Sequence, residues 1–122
     1  MKFYWSKFEV IRVGSNEMLK IETKYFSPNY EDLLEEKEVV RDLGIIMSND
    51  LTFKSHVNTA IRNMKQKASW TFRTFQSRES ETLKSIWRSL ILPIADYCSP
   101  LWFAKDKLGE ISEIENIQRQ FT

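Results

Sequence analysis

The sequence predicts an α+β fold: a small antiparallel β unit followed by a three-helix bundle. Up to Asp50 the apolar residues come in short β-branched or aromatic clusters separated by turn signals, and beyond it they recur every three or four positions. Charge changes at the same point. Residues 51–78 hold six Lys/Arg and one His with no Asp or Glu, a +6 segment inside a remainder of −5, although the 122 residues together carry only +1. The expected organisation is therefore 1–50, strands and connector, and 51–122, helical.

Within the first part, residues 7–13 (Phe8, Val10, Ile11, Val13) read as a strand ended by Gly14-Ser15-Asn16. Residues 21–26 read as a second strand, ended by Ser27-Pro28-Asn29. Residues 31–38 carry five acids against one lysine and read as an exposed connector. Residues 39–47 form a third strand, interrupted by Arg41-Asp42 and Gly44, after which Ser48-Asn49-Asp50 offers a turn and a helix cap.

In the second part, Phe53, Val57, Ile61, Met64, Ala68, Phe72 and Phe75 are spaced as one stripe of a helix of about six turns. At ~100° per residue, Lys54, Arg62, Lys65 and Arg73 fall within about a quarter-turn beside that stripe, with Lys67 on the opposite flank and Trp70 pointing away. A second helix, capped by Ser77 or Ser80, has the apolar series Leu83, Trp87, Leu90, Ile94, Tyr97 and Leu101, with a kink expected near Pro93. A third, about 107–121, buries Leu108, Ile111, Ile114 and Phe121.

Composition removes several function classes. A lone cysteine, Cys98, excludes an intrachain disulfide framework and suits a reducing compartment. The N-terminus has no apolar run of signal-peptide length. The most apolar window, 89–104, is too short to span a bilayer and contains Pro93, Asp96 and Pro100. An intracellular protein, nuclear or cytoplasmic and without a membrane partner, is expected. One His and one Cys cannot fill a tetrahedral zinc site, no phosphate-binding glycine loop is present, and no Asp-Asp pair sits in a strand–turn context. No catalytic or metal-ligating residue is assigned, and the chain by itself is not expected to be a catalyst.

Several segments, in order, resemble one family. Lys37 with Asp42-Leu43-Gly44-Ile45, then Asp50, Phe53 and His56-Val57, resemble the end of the palm and the start of the thumb in reverse transcriptases of jockey-like, non-LTR (LINE-type) retrotransposons. Leu90, Pro93, Ile94, Tyr97, Ser99 and Trp102 match that family's L-V-x-P-I-L-E-Y-x-S-x-x-W helix, and IENIQRQFT its closing L-E-x-V-Q-R-x-F-T segment. KFEVIRVGSN has a counterpart in a preceding palm strand.

The resemblance implies the C-terminal palm and thumb portion of an RNA-directed DNA polymerase. Its catalytic Asp-Asp motif and two magnesium ions would belong to sequence before Met1, so no cofactor is expected in this chain. It further implies a template–primer duplex as partner, and a separately supplied fingers/palm fragment is a possible second one. Leu43, Gly44 and Ile45 would correspond to the hairpin supporting the primer 3′ end; an ordinary strand glycine is the plainer reading of Gly44.

Lys54, Arg62, Lys65 and Arg73 would contact phosphates along the duplex, or else form a solvated helix face; the absence of acids favours contact. His56 reads as a surface or capping residue at a helix start, and its place in the family pattern implies packing. Trp70 either stacks on a base or sugar or packs against the palm or another element expected outside this sequence. Trp87, Trp102, Tyr97 and Phe75 are core candidates, and Cys98 reads as a small buried hydrophobe. The alternatives to a polymerase portion are a standalone helical protein-interaction module and a non-functional transposon relic.

Overall fold

A computed structural model describes residues 4, 7–14, 24–28, 33–102 and 108–121, without the side chains of 108 and 110. The fold is α+β, with a small antiparallel sheet followed by helices. The chain divides into two compact units, Met1–Phe53 and Lys54–Thr122.

The first unit contains β1 (Glu9–Val10), β2 (Glu35–Glu36), β3 (Val39–Asp42) and β4 (Ile45–Ser48). The expected strand over 7–13 shrinks to two residues, which pair in parallel with β2, so the acidic connector contributes a strand. Charge rather than apolar alternation matches these segments. Arg12 Nη2 lies 3.1 Å from Glu36 Oε2, and Lys37 Nζ bonds Glu9 and stands 3.9 Å from Glu35 Oε2. The Lys37 N–H also donates to the Val10 carbonyl. Solvent screens exposed ion pairs of this kind, so they contribute little stability. Most of the expected strand over 21–26 lies outside the described residues, and its end, Phe26, makes one isolated bridge to Leu33.

The single strand expected over 39–47 is instead a hairpin. Its register is Val39↔Ser48, Val40↔Met47, Arg41↔Ile46 and Asp42↔Ile45. The two-residue loop, Leu43 at φ 47° and Gly44 at φ 84°, has positive φ at both central positions, the twist that two-residue hairpin turns need. Gly44 is thus a turn residue. Past β4, Asp50 accepts bonds from the Ser48 hydroxyl and the Thr52 N–H and hydroxyl. These, the Ser48 bond first, hold its carboxyl below the usual range. Asp50 therefore orders the loop rather than capping the helix, which begins four residues later.

The second unit is built from α1 (Lys54–Thr74), α2 (Ser80–Ile86), a π-helical segment (Trp87–Ile91), α3 (Leu92–Asp96), α4 (Ser99–Trp102) and α5 (Leu108–Phe121). The core draws Val57, Ile61, Met64 and Ala68 from α1, as the stripe predicts, together with Ala60, His56 and Thr71. The Thr71 hydroxyl satisfies itself on the Lys67 carbonyl at 2.9 Å. Opposite stand Leu83, Ile86, Trp87, Ile91 and Ala95, and α5 adds Ile117 and Phe121 while Ile111 and Ile114 are half-buried. Leu108, an expected core residue, has no described side chain.

The second expected helix is broken and its register is shifted. Leu90 and Leu101, expected inside, are 36% and 53% exposed, and from Trp87 onward burial recurs at 91 and 95. Steps of four, rather than four and three, reflect the π segment, in which the Leu92 N–H reaches back to the Trp87 carbonyl. Pro93 has no N–H and its ring would crowd the Ser89 carbonyl, so widening the preceding turn accommodates it without a sharp kink. The chain breaks later, at Tyr97 (ψ 112°) and Cys98 (φ 52°). Tyr97, expected in the core, is consequently half-exposed, as is Phe75 one residue past α1, and Cys98 is only half-buried. Neither Ser77 nor Ser80 caps α2: Glu79 holds that position through its backbone carbonyl, which accepts from the Leu83 N–H.

His56 is buried, its ring 5.9 Å edge-on from Trp102, so the expected surface or capping position is corrected to a packing one. Removal from water holds its pKa below the ordinary 6.5. The unfolded chain therefore takes up a proton before the folded one does. The stability this contributes is complete above the unfolded pKa and is lost as pH falls through the depressed folded value. Melting temperature is expected to fall from about pH 7.5 to about pH 5.5, and His56→Phe should flatten that fall. An equal slope in both proteins would assign it to other groups.

Candidate nucleic-acid interface

The exposed face of α1 follows from composition. Its 21 residues contain no Gly, Pro, Asp or Glu, and five are Lys or Arg. Burying the stripe fixes the rotation of the helix, and that rotation sends Lys54, Arg62, Lys65 and Arg73 to the surface. Three of the four come together: Arg62, Lys65 and Arg73 line one open depression of about 370 Å³, with Gln66, Ser69 and Trp70. Lys54 stands apart at the first turn, where a cation opposes the helix dipole.

The face is less purely cationic than the α1 sequence alone suggests. Glu113 of α5 places Oε2 3.0 Å from Lys65 Nζ, an acid that arrives through tertiary packing. Both side chains are more than half exposed, so the pair contributes at most about 1 kcal/mol and yields readily to a competing phosphate. Among the described residues, Arg62 and Arg73 appear in no ion pair with a carboxylate. Such an arrangement can neutralise phosphates; it offers no nucleophile or general base.

Trp70 is 49% exposed, with Lys67 Nζ 5.3 Å from its ring centroid and the Phe75 ring perpendicular to it at 6.2 Å. Its pairing with the cations, and the Gln66 and Ser69 contributions, were missed as a set by charge counting. Helical spacing contains that signal, since positions 62, 66, 69, 70 and 73 share one face.

The three residues of the expected primer-support strand separate. Leu43 sits 82% exposed at the hairpin tip beside exposed Gly44, and Ile45 is buried. A second concavity, apolar and about 460 Å³, runs between α3, α4 and α5, lined by residues including Leu92, Trp102, Ile111 and Ile114 with Asp96 and Glu115. Among the described residues no three His, Cys, Asp or Glu side chains converge in a group that could hold a metal ion. Nor, among them, is any helix long and apolar enough to cross a membrane. No family model, curated protein or solved structure matches this chain.

Proposed function

We propose that the Lys54–Thr122 unit grips a nucleic-acid backbone through α1, as the thumb portion of an RNA-directed DNA polymerase of a non-LTR retrotransposon. The observation that carries this reading is the grouping of Arg62, Lys65 and Arg73 on one depression of a helix without a single carboxylate. A merely solvated helix face mixes signs, because like charges one turn apart repel. A phosphate near Lys54 would also relieve the opposition between that cation and the positive end of the helix. The hairpin of Leu43, Gly44 and Ile45 is the element that the resemblance assigns to the primer end. The function proposed for this chain is binding of that backbone.

An RNA–DNA hybrid titrated against the 122-residue chain at increasing salt tests the reading. Affinity should fall linearly on a double-logarithmic plot, with a slope of roughly −0.9 for each phosphate neutralised, hence about −2 to −4 for this face. A salt-independent affinity, or none at low salt, removes the reading. The apolar concavity beside α5 supports a second one, a helical protein-interaction module, for which association should tolerate salt.

A further inference from the structure

The cationic depression has a neighbour. Asn63, Gln66, Lys67, Trp70 and Ile94 line a second open hollow, also of about 370 Å³, and both Trp70 and Gln66 border the two. Trp70 is therefore a wall between a cationic hollow and one with two side-chain amides and an apolar side. The other tryptophans described in this unit, Trp87 and Trp102, are 5% and 4% exposed and belong to the core, whereas half of Trp70 faces solvent.

We infer that Trp70 is a stacking platform for an unpaired nucleobase, so that the ligand of α1 is a nucleic acid with a single-stranded segment or end. The strand's phosphates lie on Arg62, Lys65 and Arg73, and one base lies against the indole. This rests on the nucleic-acid reading above and narrows it. Along a fully paired duplex the base faces lie inside the stack, so only a terminal pair or an unpaired base offers a face to a side chain. The hollow on the Asn63 side has the right chemistry for a base edge: the amides of Asn63 and Gln66 each donate and accept, so they suit any base without selecting one. Lys67 already stands over the ring, and magnitudes decide which ligand prevails. Stacking a base on an aromatic side chain is worth roughly five- to 150-fold in affinity, against about two- to fivefold for an exposed cation over a ring. Lys67, on a flexible stem, gives way and remains close enough to meet a phosphate.

The test compares wild type, Trp70→Ala and Trp70→Phe, as full chains, by fluorescence anisotropy at low salt. The probes are a blunt RNA–DNA hybrid and the same hybrid carrying an oligothymidine extension. The extension should tighten wild-type binding by roughly five- to 150-fold. Trp70→Ala should abolish that gain, so that blunt and extended hybrids bind the variant alike, and Trp70→Phe should keep part of it. If the blunt hybrid binds but the extension adds nothing, or adds as much in Trp70→Ala, the stacking role is wrong and backbone binding stands. A loss equal for both probes in Trp70→Ala makes Trp70 a packing residue and overturns the inference. Binding of neither probe by wild type sinks the nucleic-acid reading itself, and the stacking role with it.

Discussion

Phe121→Ala is expected to destabilise the helical unit by about 3–5 kcal/mol. Phe121 is 2% exposed at the end of α5, and its ring lies 4.9 Å from that of Phe72 and 5.7 Å from that of Trp87. One side chain thus joins α5 to α1 and to the π-helical segment. Its removal forfeits the transfer energy of a buried aromatic and leaves a cavity between two rings that cannot both collapse into it. Domains of this size have a total stability of roughly 5–15 kcal/mol, so the variant should approach the unfolding threshold. Urea denaturation followed by far-UV circular dichroism measures the loss. Phe121→Leu, which keeps most of the volume, should recover more than half of it. A cost below about 1 kcal/mol for Phe121→Ala would mean that α5 does not dock as described.

The same contacts explain what could and could not be read from sequence. The α1 stripe was legible because a 21-residue helix with uninterrupted period fixes its own buried face, and with it the exposure of Lys54, Arg62, Lys65 and Arg73. The second helix was legible as helix but not in register. A π segment ahead of Pro93 moves burial from Leu90 to Ile91 and makes Ala95 a core residue, and periodicity taken at a constant ~100° cannot represent that slip. The hairpin, which the family resemblance implies at Leu43–Ile45, was hidden from the apolar pattern by Leu43, a residue that rarely occupies a positive-φ turn position, next to the Gly44 that does. The parallel pair β1–β2 was hidden because it is matched by Arg12–Glu36 and Lys37–Glu9 pairing, which an apolar pattern does not record. At the candidate site, the cations followed from helix geometry alone. The Glu113 partner of Lys65 did not, since it depends on where α5 docks, 48 residues away in sequence.

That partner determines which cations are the informative ones to change. Lys65 is shared between Glu113 and any ligand, so its substitution would mix the loss of an internal pair with the loss of a phosphate contact. Arg62 and Arg73 avoid that confusion, and they stand three turns apart, ~16 Å along the axis, far enough to meet different phosphates. Arg73 lies in the last turn of α1, where an acid would oppose the helix dipole, so neutralisation is the cleaner change there and reversal the cleaner one at Arg62. The double variant Arg62→Glu/Arg73→Gln should bind an RNA–DNA hybrid on the order of 10²-fold more weakly at low salt, with a salt slope shallower by about two. Both side chains are exposed, so thermal stability should change by no more than about 0.5 kcal/mol. Reversing Lys84 and Arg119, exposed cations on α2 and α5 that pair with Glu81 and Glu115, alters net charge by a comparable amount away from α1. If those reversals weaken binding as much as the α1 variant does, attraction is a property of total charge, and α1 is not the contact face. If only the α1 variant loses affinity and slope together, phosphates lie along this helix.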